Sequence, residues 1–320
     1  MLVSVLIPCF NCESYLAPCL ESVLGQTYPR IEVVVVDDGS TDGSLALARR
    51  FEKHGVKVIS QQNRGQPAAL NAGFAVALGD YIQYLDADDV LDRDKIKVQI
   101  ERLASADRLA MASGAWCRFR NDLSEAMFAA EAVWQDLSGV DWLITSWLGG
   151  GMMPVFAFLT PRELVERAGP FNERLVRNND LDFFSRVMLL SSGVLFCNDA
   201  RGYYRSGQPT MSRRRDRAAL VSAFEAIDIS SRRLLERCNS SRASEACATQ
   251  FQRFVYDTYP QALDLVAQAE RRVSELGGSG LRPGGGRVFQ LLAKCFGWKF
   301  AKRCQQAWHS LKAPRTGASP

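Results

Sequence analysis

Histidine is almost absent from this chain. The two that occur, His54 and His309, leave Cys9, Cys12 and Cys19 without the imidazole or fourth thiol that a metal site built on them would need. The nine cysteines are odd in number and show no disulfide framework, so reduced thiols are expected. No run approaches the roughly 18 apolar residues of a spanning helix. The N-terminal run Leu2 to Ile7 is too short for the hydrophobic region of a signal peptide, and no basic segment precedes it. These absences lead us to expect a cytoplasmic chain. No Gly-x-Gly-x-x-Gly follows the first apolar run, which disfavours a nicotinamide oxidoreductase. No internal repeat is found. Acidic residues stop after Glu275, whereas Arg282, Arg287, Lys294, Lys299, Lys302, Arg303, Lys312 and Arg315 follow. A one-signed tail suits an anionic surface. The formal net charge of +4 does not by itself imply nucleic acid, and none is expected as a partner.

What is present is an ordinary globular composition, with 47% hydrophobic and 23% charged residues over 320 positions. This length suffices for one large α/β domain with an appended region. Val3 to Ile7, Ile31 to Val36, Val56 to Ile59 and Tyr81 to Leu85 read as strands. Between them, Tyr15 to Leu24, a segment from Ser40 or Thr41 to Phe51, and Pro67 to Leu78 read as helices, with Asn11 able to cap the first. The alternation predicts a Rossmann-like, mostly parallel sheet flanked by helices on both faces. Ligands bind outside the carboxyl ends of such strands. Asn11, Asp37 with Asp38, and Asp86 with Asp88 and Asp89 all fall there. Beyond residue 105 the pattern loosens into short elements. A helix is expected over Pro161 to Ala168 and another over Asp180 to Leu190. Residues 217–276 read as helical, Gly277 to Gly286 as a linker, and Phe289 to Leu311 as one basic amphipathic helix. That last helix could lie in a membrane interface or dock on its own domain.

Asp86-Ala87-Asp88-Asp89 is the densest acidic group. Carboxylates so close repel unless a cation or buried donors offset them, and hard oxygen ligands favour Mg²⁺ or Mn²⁺ bridging to a diphosphate. The alternative is a solvated turn capping a helix that begins near Asp92. Four segments occur in order: Val3 to Asn11, Val36-Asp37-Asp38-Gly39-Ser40-Thr41-Asp42, Asn71-Ala72-Gly73, and Leu85-Asp86-Ala87-Asp88-Asp89. Together they resemble the inverting family 2 glycosyltransferases of the GT-A fold, strongly over residues 1–110 and more weakly to about 210. The resemblance implies a nucleotide-sugar donor, a UDP-sugar being favoured, and a glycan or lipid-linked acceptor. It implies that Pro8, Phe10 and Asn11 lie against the base, Phe10 standing where the family commonly has tyrosine. It implies that Asp38 meets the base, with Asp37 supporting the loop. Asp86 then lies near ribose and metal, and Asp88 is the direct metal ligand. Asn71 matches an asparagine of the donor site. Leu70 replaces an arginine often found before it, for which Arg64 could substitute. Read as residues alone, Phe10 could be core, Asp38 could satisfy its own turn, and Asn71 could be helix surface.

Asn178-Asn179-Asp180-Leu181-Asp182-Phe183 resembles the family segment Glu-Asp-x-Asp-aromatic. This implies that Asp180 is the base that deprotonates the attacking hydroxyl, with Asn179 in place of the usual acid and Asp182 orienting the loop or acceptor. The alternative for Asp180 is a helix cap. Tyr203-Tyr204-Arg205 resembles the family's Tyr-Arg segment near the metal; the histidine often found after it is absent. Arg213, Arg214 and Arg215 could clamp a diphosphate, and Trp116, Trp134, Trp142 and Trp147 with Met152 and Met153 could form an acceptor platform or pack in the core. The organisation expected is a donor-binding half over 1–110, an acceptor half with the base over 111–212, a helical extension over 213–276, and linker plus basic helix over 277–320. The alternative function is a noncatalytic nucleotide-binding or scaffold member of a glycan-assembly complex.

Overall fold

The computed structural model describes residues 1–152, 154–207 and 214–312; Met153, Gln208, Arg213 and Arg315 lie outside them. The first half alternates as expected: β1 (Val3–Cys9), α1 (Glu13–Leu24), β2 (Ile31–Asp37), α2 (Ser44–Arg50), β3 (Val56–Ser60), α3 (Gln66–Val76) and β4 (Tyr81–Tyr84). The next elements are β5 (Val90–Leu91), α4 (Lys95–Leu103), β6 (Ala110–Phe119), α5 (Gly139–Thr145), β7 (Thr160–Pro161), α6 (Arg162–Ala168), α7 (Asn179–Leu190) and β8 (Gly193–Arg205). The main sheet has the order β3-β2-β1-β4-β7, parallel except for β7. Val3, Val5 and Ile7 pack with Leu16, Leu20 and Val23 of α1, while Leu6, Val34 and Val36 pack with Ala69 and Leu70 of α3. Both faces are therefore covered, which is why the strands are apolar on consecutive positions.

Three local expectations need correction. Asn11 does not cap α1. Cys12 occupies the cap position, and Asn11 takes a left-handed conformation (φ 50°) with its Oδ1 accepting from the Thr41 N–H at 2.8 Å. The second helix starts at Ser44, not Ser40 or Thr41, because Asp42 Oδ1 accepts from the Ser44 N–H in a local turn. Gly39 (φ 76°) makes this turn possible, since a Cβ there would sit 2.8 Å from the Asn63 nitrogen. The stretch after residue 105 holds two long strands rather than short elements only. β6 and β8 run parallel, β5 pairs antiparallel with β8, and Val90 lies opposite Tyr203.

The helical extension comprises α8 (Arg217–Arg237), α9 (Ser241–Thr258) and α10 (Leu263–Glu275), packed around Leu220, Phe251, Phe254 and Leu265. Asp216 and Ser240 cap the first two by accepting from the Ala219 and Ala243 N–H groups. After an irregular segment comes not one helix but two, α11 (Arg287–Phe296) and α12 (Trp298–Lys312), broken at Gly297 (φ 82°). No helix among the described residues is long and apolar enough to cross a membrane. None of the nine cysteines is disulfide-bonded.

Candidate active site

The carboxyl ends of β1, β2 and β4 form one rim. Pro8 is part of β1, in register with Val36, and carries the chain out to Phe10, whose ring is 50% exposed. Phe10 is thus a surface aromatic at the rim, not core. At the end of β2, Asp38 is buried, and its carboxylate organises the neighbouring loop. Oδ1 accepts from Gln61 Nε2 at 2.7 Å and the Arg64 N–H at 2.9 Å, and Oδ2 accepts from the Gly65 N–H at 2.7 Å. Asp37 is equally buried, with the Ser60 hydroxyl at 3.4 Å from Oδ2 and no partner for Oδ1 among the described residues. The loop-holding work expected of Asp37 is therefore carried by Asp38. Asn71 is not free helix surface: it donates to the Phe171 carbonyl and Glu173, and accepts from the Phe171 N–H at 2.8 Å. Arg64 pairs with the same Glu173 at 2.7 Å, and Leu70 is buried beneath.

At the end of β4, Asp86 and Asp88 are half-buried and Asp89 is fully buried. Burial pushes the Asp86 carboxyl up to about 7, with Asp88 and then Asp180 adding like-charge repulsion against the single Gln66 donor at 2.7 Å. Burial also raises Asp88, while Arg205 opposes the shift. Arg205 is the internal counter-charge. Its backbone N–H donates to Asp89 Oδ1 and its Nε to the Asp88 carbonyl, both at 2.8 Å. Its guanidinium lies 4.4 Å from the Phe119 ring and 5.0 Å from that of Tyr15. The register of β5, β6 and β8 brings it there. The group is therefore not a solvated turn, and α4, which follows it, is preceded by Asp94 rather than beginning near Asp92. One cation for three carboxylates leaves negative charge in excess, and Asp89 Oδ2 is buried without a partner among the described residues. This hard-oxygen group fits Mg²⁺ or Mn²⁺ in charge and chemistry. No set of three His, Cys, Asp or Glu converges in ligating geometry among the described residues, so a bound cation would take its other ligands from substrate or water.

Asp180 stands in the first turn of α7, while Asn178 (φ 58°) occupies the cap position, so the capping alternative is not realised. Its side chain reaches solvent, and Oδ1 accepts from the Leu181 N–H at 2.9 Å. The surrounding protein mass nevertheless raises its carboxyl, and its charge is felt at Asp86. Asn179 is buried. Asp182 does not face the cleft. It is buried between Arg186 at 3.0 Å and Arg233 at 2.5 Å, tying α7 to α8. Trp116, Trp142 and Trp147 are buried, and Trp134 stacks on Phe196, so they serve as core. Arg214 pairs with Asp216, and its carbonyl accepts from Arg177. The contributions of Gln61, Gln66, Phe119 and Tyr15 escaped the sequence reading. A polar residue after a glycine loop or an aromatic on a distant strand carries no motif; only the three-dimensional pairing exposes it.

Residues 4–128 match the family described as Glycosyl transferase family 2. The chain is 31% identical over 215 residues to Glycosyltransferase GlyG of Streptococcus pneumoniae serotype 4, an alignment covering 64% of this chain and 70% of that one. It is 30% identical over 227 residues to Glycosyltransferase GlyA of the same organism, covering 66% of this chain but 31% of GlyA, so it spans under a third of that relative. The fold is similar to that of S. aureus TarS 1–349, solved in complex with UDP, with a TM-score of 0.63 at 16% identity over 100% of this chain and 94% of TarS 1–349. With the parallel sheet, its acidic rim and these likenesses together, the chain belongs to glycosyl transferase family 2 and has the GT-A fold.

Proposed function

We propose that this chain moves a sugar from a nucleoside-diphosphate donor, a UDP-sugar, to a hydroxyl of a glycan or lipid-linked acceptor, with inversion at the anomeric carbon. The observation that carries the reading is that Asp180, 94 positions beyond Asp86 in the chain, is folded close enough for its charge to act on Asp86.

Pro8, the exposed Phe10 ring and Asn11 form the wall for the base, with stacking on Phe10 as the main apolar contribution. Asp38 and Asn71 act as positioning residues, since their polar atoms already hold the 61–65 and 171–173 segments. Asp88, with Asp86, would hold Mg²⁺ or Mn²⁺, which offsets charge on the diphosphate leaving group. Asp180, as carboxylate, takes the proton of the attacking hydroxyl at Oδ2, while Oδ1 stays tied to the Leu181 N–H. Its raised pKa makes it a better base than an ordinary surface aspartate. The donor choice draws further support from TarS having been solved with UDP.

The test is transfer activity of Asp88→Ala and Asp180→Asn. Each should fall by at least about 100-fold, and Asp180→Asn should keep its UDP-induced rise in unfolding temperature. Full activity of Asp180→Asn on the true acceptor would remove it as the base, and a product of retained anomeric configuration would overturn inversion. UDP binding with neither transfer nor donor hydrolysis would make the chain a noncatalytic nucleotide-binding member instead.

A further inference from the structure

The C-terminal helix pair presents two different faces. Its inner face is docked. Phe289 and Ala301 are buried, and Trp298 sets its ring edge-on against Tyr256 and Tyr259 at 4.9 and 5.2 Å. Lys299 pairs with Glu270 at 2.6 Å. The outer face is apolar and open: Val288 is 73% exposed, Leu291 63%, Phe296 67%, Phe300 46% and Trp308 59%. Phe296 and Phe300 bring their rings within 5.2 Å of each other across the break at Gly297, so α11 and α12 share one continuous strip. Arg287, Lys294 and Lys302 edge it, none with an acidic partner among the described residues.

We infer that α11 and α12 together form a surface anchor that lays this apolar strip into the interface of an anionic lipid bilayer. Three features select that occupant. Large aromatics at an exposed helix face, flanked by long basic side chains, match the layering of an interface, with acyl chains below and phosphate headgroups level with the ammonium and guanidinium groups. A second copy docking face to face would bring like-charged rims together, because no Asp or Glu occurs after Glu275. A polyanion such as nucleic acid would meet the basic edges but leave the strip in water. The anchor is also coupled to the site. Trp298 and Leu181, the residue after Asp180, pack against the same cluster of Leu220, Phe251 and Phe254. Seating the helices on a bilayer therefore fixes the helix that carries Asp180 relative to that surface.

The experiment is flotation of the full chain, without donor, with vesicles of phosphatidylglycerol mixed with phosphatidylcholine and with phosphatidylcholine alone. Binding should require the anionic lipid and weaken steeply with salt. Leu291→Glu combined with Phe296→Glu should lower partitioning at least tenfold. Arg287→Glu combined with Lys294→Glu should lower it roughly fivefold or more per position. Both variants should keep the wild-type unfolding temperature, since these side chains are outside the core. No binding to anionic vesicles, or undiminished binding by the Leu291/Phe296 variant, would overturn the inference. So would self-association, or duplex DNA binding, in place of vesicle binding. Because no donor is present, failure of the glycosyl-transfer reading would leave this result standing, and the reverse.

Discussion

The Asp86 carboxyl shares the electrostatic cost of the rim with the fully buried Asp89, whose carboxyl is also pushed up by burial. The folded Asp86 pKa of about 7 lies above the ordinary aspartate value, so between those two pH values the folded chain binds more protons than the unfolded chain. Stability from this group is therefore lost as pH rises through that window, the opposite of a salt-bridged aspartate. Asp86→Asn should raise stability above pH 7 by about 1–4 kcal/mol, at ~1.4 kcal/mol per pKa unit, and should flatten the pH dependence of urea unfolding. An unchanged slope would mean that the charge is relieved in another way. Asp38 makes the opposite case. Its three hydrogen bonds hold the loop after β3. Asp38→Ala leaves two backbone donors and one side-chain donor without their acceptor, and should cost about 2–4 kcal/mol in urea unfolding. If Asp38 served only the base, its loss would weaken UDP binding and leave the urea midpoint unchanged.

At the scale of elements, α7 is the piece on which the catalytic assignment depends, and Asp182 holds it. Asp182→Ala removes the carboxylate that Arg233 of α8 shares with Arg186, while Arg186 keeps its bonds to the Ala168, Gly169 and Pro170 carbonyls. We expect a loss of about 1–3 kcal/mol, with unfolding temperature as the readout and Arg233→Ala, a more exposed partner, costing less. The elements also explain what could be read from the chain. β1, β2 and β4 are buried on both faces, so their apolar runs and terminal acids stood out. β6 has Ala, Ser and Gly at half of its positions, and β8 is interrupted by Asn198 and Asp199, so neither shows a period. Their pairing spans about 80 residues and is stabilised by packing rather than by local preference. Gly297 was visible, but an isolated glycine does not announce whether it kinks or ends a helix. Asp86, Asp88 and Asp180, the residues proposed for the site, could be picked out in the chain by type and order. The structural duties of Asp38 and Asn71 were not, because hydrogen-bond partners at sequence distances of 26 and 100 leave no local trace.

For the whole molecule, a cation held as proposed on Asp86 and Asp88 would compete with protons for the same carboxylates. Mn²⁺ should raise the unfolding temperature little at pH 5.5 and distinctly at pH 8, where Asp86 is ionised. A free concentration near one hundred times Kd corresponds to roughly 2.7 kcal/mol. UDP added with Mn²⁺ should shift the temperature further than either alone. Equal Mn²⁺ shifts at both pH values, or none in Asp88→Ala and wild type alike, would argue against a cation on these acids.

The contact between Asp89 and Arg205 bridges 116 residues. A growing chain therefore releases its carboxylates long before the guanidinium that accompanies them into the interior. Until β8 emerges, the three acids stand hydrated, where separate charges cost little. A product that stops short of residue 205 retains every strand of the main sheet and yet lacks the cation that lets the rim close. The acidic rim thus closes only when the chain has been made through β8, so burial of these carboxylates reports on synthesis of some two hundred residues as well as on folding.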